Sequence, residues 1–224
     1  MSLISIIVPA WKEGGNLTRL VENFKGTAGT ELVVALSDDD SLTQAPDGGG
    51  VKVIRTRRGR AGQMNAGAKA ANGDVFLFLH GDTVITRDSL VKVKEALDRT
   101  GVSIGAYWLS IDSSALWASL VASAANLRSR FFKLPYGDQA LFVKRETFER
   151  IGGYEDVPLM EDVLFVKAAR AHGKLAIIDE RAVTSDRRWR ERGFIRNTVR
   201  NWSIMLAHMA GAKPETLARW YYSG

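Results

Sequence analysis

Glu161 and Asp162 open a run whose apolar residues recur at helical spacing, 22 residues after Gln139 of the turn Gly137, Asp138, Gln139. Acids at a helix start are ordinary partners of the helix dipole. Preceded by Gly152, Gly153, Tyr154 and the Pro158 loop, the pair is also placed to face a cleft, where one carboxylate accepts a hydroxyl proton. Capping explains one of them more easily than both. His80, Gly81, Asp82 and Thr83 follow the apolar run Val75 to Leu79. A hard carboxylate there suits Mg²⁺ or Mn²⁺ against a diphosphate. A bare carboxylate about 4 Å from a phosphate oxygen is repelled by roughly 4 kcal/mol at an effective dielectric of about 20, and an intervening divalent ion reverses the sign. The plainer alternative is a capping Asp in a strand-end turn.

Three further groups carry charge or hydrogen-bonding capacity. Pro9, Ala10, Trp11, Lys12 and Glu13 follow the first apolar run, and Asp38, Asp39 and Asp40 follow the second. Carboxylates brought together there accept hydrogen bonds from ribose hydroxyls and a base edge, against the alternative of a solvated acidic turn. Arg57, Arg58, Gly59 and Arg60 lead into Gly62 to Ala71, where helix N-terminal amides and arginine forks suit an anion. Neither a Gly-Lys-Ser/Thr nor a GxGxxG pattern occurs, so a phosphate role rests on charge. Between Arg181 and Arg200 seven arginines stand against two acids, Asp186 and Glu191, marking an electropositive end.

These groups need elements that gather them. Ile4 to Val8, Glu31 to Leu36, Val51 to Arg55 and Val75 to Leu79 read as strands, with helices over Leu17 to Phe24 and Gly62 to Ala71 between them. Continuous apolar strands alternating with helices predict an α/β layer structure around a mainly parallel sheet, which presents polar groups at its carboxyl edge. Farther on, the pattern predicts helices over Asp88 to Asp98, Ala115 to Phe132 and Glu161 to His172, and strands over Ile104 to Ile111, Gln139 to Lys144 and Leu175 to Asp179. A helical tail spans Phe194 to Tyr222.

Bulk properties narrow the chemistry. The 224 residues, 46% hydrophobic, suit one buried core, and the net charge of +6 favours a phosphorylated or polyanionic partner. Absence of cysteine excludes disulfides, thiolate metal sites and cysteine nucleophiles, and fits a cytoplasmic setting. The opening apolar run lacks a basic flank and reads as a strand, and Ser113 to Leu127 is shorter than the ~18 to 20 residues of a membrane span. A soluble protein, or a peripheral one at a membrane surface, is expected.

In this order the segments ISIIVPAWKE, SDDDS, GRAGQMNAGA, FLFLHGDT, PYGDQALFVKRETFERIGGYEDVPLMEDVLF and TSDRRWRERG resemble a family 2 glycosyltransferase over nearly the whole chain. Several resemble in particular a small bacterial subgroup encoded near selenium or radical-SAM genes. The resemblance implies a GT-A fold, a nucleoside-diphosphate-sugar donor, Mn²⁺ or Mg²⁺, and inversion at the anomeric carbon. It implies a single domain: a nucleotide-binding half over 1–111, an acceptor-side half over 112–193 and the tail over 194–224. Pro9, Ala10 and Glu13 match the first nucleotide loop, Asp38, Asp39 and Asp40 the ribose and base loop, and Arg60, Asn65 and Gly67 the segment closing on the nucleotide.

Asp82 matches the last acid of the family's metal-binding DxD motif, with His80 where its first Asp stands. Gly137, Asp138 and Gln139 match the acceptor-side turn, and Glu161 with Asp162 the acidic pair whose Asp is the general base. Arg188 and Trp189, flanked by Arg187 and Arg190, resemble the element that closes over the leaving diphosphate. A second departure is Asp in the SDDDS loop where the family commonly has Gly. The expected reaction is direct displacement on the donor sugar by an acceptor hydroxyl, the acceptor being either lipid-linked or a small molecule. Two rivals are a sugar nucleotidyltransferase, whose glycine-rich Lys-bearing loop is missing after the first strand, and an inactive relative holding nucleic acid or anionic membrane through the arginine-rich tail. Nucleic acid is not the expected partner.

Overall fold

Apolar runs form strands wherever they are long enough to be covered on both sides. In the computed structural model these are β1 (Ile4–Ala10), β2 (Thr30–Ser37), β3 (Val51–Thr56) and β4 (Val75–Phe78), with α1 (Gly15–Phe24) and α2 (Arg60–Ala70) between them. There follow β5 (Thr83–Val84), α3 (Ser89–Asp98), β6 (Val102–Asp112), α4 (Leu116–Phe132), β7 (Phe142–Lys144), α5 (Arg145–Arg150) and α6 (Glu161–Arg170). The chain ends with β8 (Lys174–Ser185), α7 (Arg187–Arg192), α8 (Phe194–Met209) and α9 (Pro214–Tyr222). The structure describes residues 2–41, 43 and 50–222, without the side chains of 188, 191, 192, 194, 195, 197, 209 and 222. Much of the glycine-rich loop expected between β2 and β3 lies outside the described residues.

One sheet has the order β3-β2-β1-β4-β7-β6-β8-β5. β1 runs parallel to β2 and β4, β2 to β3, and β6 to β8, while β7 is antiparallel to β4 and β6 and β5 is antiparallel to β8. Six strands therefore point one way. Their carboxyl ends and the amino end of β7 share one edge of the sheet, so the loops after β1, β2, β3, β4, β6 and β8 and the turn before β7 meet there.

The period of two explains why β1 has no polar face. Ile4, Ile6 and Val8 pack with Leu17, Leu20 and Phe24 of α1 and with Leu90, Val93 and Leu97 of α3. Ile7 points the other way, toward Met64 and Ala68 of α2, with Phe165, Val166 and Ala169 of α6 in the same cluster. Helices on both sheet faces make every position of β1 and β4 an interior one.

Several elements differ from the sequence expectation. β8 continues through Asp179, Glu180 and Arg181 to Ser185, because its ladder with β6 extends past them with a register shift between Ala106 and Trp108. Gln139 belongs to a 3-10 turn, Gly137–Gln139, and β7 begins only at Phe142. The tail is broken into α8 and α9 at Gly211, whose φ of 91° ends one helix before Pro214 opens the next. β5 is two residues long, and α5 has six. Neither length gives a readable period.

Gln63 fastens α2 to the functional edge. Buried to 3% exposure, it donates through Nε2 to the carbonyls of Ala10 (2.9 Å) and Ala35 (2.8 Å) on adjacent strands. Gln63→Met keeps the volume and leaves both carbonyls without that donor. Urea denaturation is expected to show a loss of about 2–4 kcal/mol, as buried acceptors left unsatisfied cost ~1–3 kcal/mol each; a loss well below ~1 kcal/mol shows that the bridge is dispensable.

Candidate active site

The segments at this edge border a cavity of ≈ 360 Å³. Its polar end is lined by Arg60, His80, Asp82, Asp138, Glu161 and Asp162. The opposite flank is apolar, formed by Leu120, Val121 and Ala124 of α4 and by Trp202, Ile204 and Met205 of α8.

The acidic pair enters this cavity through an unusual turn. Met160, just before α6, lies in the left-handed region at φ 71°, a conformation costing on the order of 1 kcal/mol for a side chain of this kind. Glu161 Oε1 then stands 3.1 Å from Arg60 Nη1, with its side chain 5% exposed. Asp162 Oδ2 lies 3.9 Å from the same Nη1 and accepts the amide N–H of Gly137 at 3.0 Å. Gly137 has no room for a side chain, since a Cβ there would fall 2.6 Å from Asp162 Oδ2. The other oxygen, Oδ1, is buried and has no hydrogen-bond partner among the described residues.

Burial and the adjacent Glu161 hold the Asp162 proton more firmly than usual, outweighing Arg60 and the Gly137 amide, so its pKa is pushed up to about 7. The group thereby changes charge near neutrality.

Glu13 and the His80 to Asp82 turn meet across the edge. Gly81 lets them: a Cβ on it would come within 2.8 Å of Glu13 Cγ. The turn is also tied to β8, where the Ser185 N–H donates to the Asp82 carbonyl at 3.0 Å. His80 and Asp82 both line the cavity. Among the described residues no group of three or more His, Asp or Glu is arranged to hold a metal ion. A cage made by the protein alone is therefore not present there, whereas Mg²⁺ and related ions commonly take one or two carboxylates and complete their shell with water and substrate phosphate. Asp82 with His80 fits that second kind of site.

The loops after β1, β2 and β3 are knitted together. Asp40, 2% exposed, accepts the Lys12 N–H at 2.6 Å through Oδ2 and the Thr43 N–H at 2.9 Å through Oδ1. Asp39 accepts the Ser37 hydroxyl and lies 4.0 Å from Arg58, whose guanidinium stacks 3.5 Å over the Trp11 ring. Asp38 is anchored by its backbone N–H, which donates to Thr56.

Several residues expected at ligands make scaffold contacts. Pro9 and Ala10 lie inside β1, paired with Ala35 and Leu36, and not in a loop. Asn65 directs both ends of its amide to the Tyr154 backbone, donating at 2.8 Å and accepting at 2.9 Å. Gly67 lets α2 close on β1, since a Cβ would lie 2.4 Å from Ile7 Cγ2. Gln139, fully buried, donates to the Tyr107 carbonyl at 3.0 Å and accepts from Ser129 Oγ at 2.7 Å. None of these lines the cavity.

The basic segment is the helix α7. Trp189 lines the cavity and packs its ring 5.9 Å from Trp117 of α4. Arg190 is committed to Asp186 at 2.6 Å, and the Arg187 N–H donates to Ser185 Oγ. The Arg188 side chain, expected at the diphosphate, lies outside the described residues. Two cavity residues are given no role from the sequence: Arg128 of α4 and Tyr136, stacked at 3.5 Å, the tyrosine hydroxyl buried without a hydrogen-bond partner among the described residues.

The family model for glycosyl transferase family 2 matches residues 5–153. The chain belongs to that family. Among curated proteins none matches it in sequence. Among solved structures, it is similar to a mannosyltransferase, PcManGT from Pyrobaculum calidifontis in complex with GDP-Man and Mn²⁺. The TM-score is 0.65 at 17% identity, over 99% of this chain and 70% of that one. S. aureus TarS 1-349 gives a TM-score of 0.63 at 15% identity, over 82% of this chain. GalNAc-T7 with UDP, GalNAc and Mn²⁺ gives 0.59 at 16% identity, over 83% of this chain and 44% of that one. The chain spans 60% of the TarS structure. These likenesses establish the GT-A fold, a single mixed α/β unit around a mainly parallel sheet.

The Asp162 environment has a stability signature. A folded-state pKa of about 7 against an ordinary 3.8 means that folding takes up a proton between those values. Stability from this group therefore falls as pH rises through that window, and the full cost of the buried charge is present above about 7. Asp162→Asn removes the charge, so it is expected to be more stable than the native chain at alkaline pH, with the difference shrinking toward acid. Denaturant titrations across pH check this, and a pH-independent difference refutes the perturbed proton affinity.

Proposed function

We propose that the protein transfers a sugar from a nucleoside-diphosphate sugar to an acceptor hydroxyl by a single inverting displacement. The observation that carries the reading is the buried oxygen of Asp162, left without a hydrogen-bond partner among the described residues, in the cavity that also holds Arg60 and Asp82. Glu161 is held by Arg60, which leaves Asp162 as the general base. Asp162 Oδ1 takes the hydroxyl proton as the acceptor oxygen attacks the anomeric carbon. The bond to the diphosphate breaks on the opposite face, which inverts that carbon.

Asp82 and His80 are the residues that would hold Mn²⁺ or Mg²⁺, which supplies positive charge to the departing diphosphate. Arg188 joins them by family resemblance, with Trp189 next to it in sequence. Mn²⁺ in the PcManGT and GalNAc-T7 structures supports a divalent ion, and their GDP-Man and UDP support a nucleotide-linked donor. By the family resemblance, Glu13 and the Asp38 to Asp40 loop would meet the ribose and base, with Asp40 shaping the loop through the Lys12 and Thr43 amides. Membership of the subgroup encoded near selenium or radical-SAM genes rests on the resemblance alone, and a cytoplasmic setting on the absence of cysteine.

A panel of nucleotide sugars with Mn²⁺, read by thermal shift, is expected to reveal a stabilising donor by mass action. Asp82→Asn is expected to lose the metal-dependent part of that shift. With donor and acceptor in hand, Asp162→Asn lowers turnover by ~10²-fold or more while donor binding stays near native, and Glu161→Gln does less. Release of a nucleoside diphosphate separates this reaction from nucleotidyl transfer, which releases pyrophosphate. A larger loss in Glu161→Gln moves the base to Glu161, and native rates in both variants end the mechanism.

A further inference from the structure

The helix α4 is amphipathic in the wrong sense for a helix packed on a core. Its buried positions are small, Ala118, Ala122 and Ser129, while Leu116, Leu120, Leu127 and Phe131 are each more than half exposed. At about 100° per residue those four fall within an arc of about 60°. On α8, Val199, Trp202 and Leu206 are also exposed and share one face by their spacing of three and four. The two stripes are continuous with the cavity, because Leu120 and Trp202 line it and are exposed as well.

Charge identifies the partner. Neither α4 nor α8 carries a single acid, while the exposed Arg130 and Arg196 lie on them and the exposed Lys133 follows α4 directly. An exposed apolar stripe with basic residues and no carboxylates is repelled by nothing on an anionic lipid surface, and gains from both its headgroups and its acyl boundary. Among the described residues no helix is long and apolar enough to cross a membrane, which leaves the stripes in contact with a surface and not within a span.

We propose that the face formed by α4 and α8 docks on an anionic lipid bilayer, so that the apolar mouth of the cavity opens toward the membrane. The docking stands on the surface alone. On the glycosyl-transfer reading it places an acceptor with an apolar chain within reach of Asp162.

Flotation with phosphatidylcholine vesicles, with and without phosphatidylglycerol, tests the face. Binding is expected to the anionic vesicles only and to weaken with salt. The double variant Leu127→Glu, Phe131→Glu changes two exposed side chains that do not line the cavity. It is expected to keep the native melting temperature and to lower partitioning by on the order of tenfold or more. The proposal fails if the native protein stays soluble with anionic vesicles at low salt, or if the double variant floats as well as the native chain. It also fails if size exclusion without lipid shows a dimer that the double variant dissociates, which assigns the face to a second copy. Donor thermal shifts on the same preparations keep the two readings apart: a donor without flotation defeats only the docking, and flotation without any donor defeats only the glycosyl transfer.

Discussion

Two carboxylates side by side at a buried helix start would repel each other if nothing answered them, and the site is organised around that problem. Arg60 answers it. Its guanidinium lies 3.1 Å from Glu161 and 3.9 Å from Asp162, and it reaches them from the first residue of α2, directly after β3. The compensation is unequal, so Glu161 has the closer ion pair while Asp162 keeps a raised proton affinity and a buried oxygen with no hydrogen-bond partner among the described residues. Removing one partner from such a cluster leaves an uncompensated buried charge, which is far costlier than the pair itself is stabilising. Arg60 is therefore the structural counter-ion of the acidic pair.

The sheet makes that meeting geometrically possible. Arg60 and Asp162 are far apart in sequence, and they come together because β7 reverses direction between β4 and β6. Reversal puts the turn before β7 at the carboxyl edge of the parallel strands, where Gly137 can donate to Asp162. Gln139 then holds that turn through Tyr107 on β6 and Ser129 on α4. Gln63 and Asn65 do the corresponding work on the other side, binding α2 to β1, β2 and the Tyr154 loop.

What the residue pattern revealed follows from what makes a pattern. Strands β1 and β4 and most of β2 were legible because both faces are covered, so each is largely an apolar run, and the edge strand β3 was legible from its branched residues Val51, Val53 and Ile54. Glu161, Asp162 and Asp82 were legible because acids following apolar runs or opening helices stand out against their surroundings. The jobs of Asn65, Gly67 and Gln139 were not: a polar or small residue in a motif looks the same whether it touches a ligand or holds the scaffold. Tyr136 and Arg128 left no trace, since their pairing depends on α4 folding back over the turn. The full length of β8 was hidden by Asp179, Glu180 and Arg181, which its partner strand accommodates.

The two sides of the site are built by different physics. On one side, Glu13, Asp40 and Arg60 hang from strand ends and a helix whose other faces are core, so their positions inherit the rigidity of the sheet. On the other, the cavity wall is α4, which touches the sheet through small residues such as Ala118 and Ala122 and offers its large side chains outward. Substitutions along the outward stripe disturb little of the fold, whereas those at Gly137 or Arg60 disturb the acidic pair itself. The wall formed by α4 and α8 can therefore change its outward side chains while the contacts that hold Glu161 and Asp162 stay fixed.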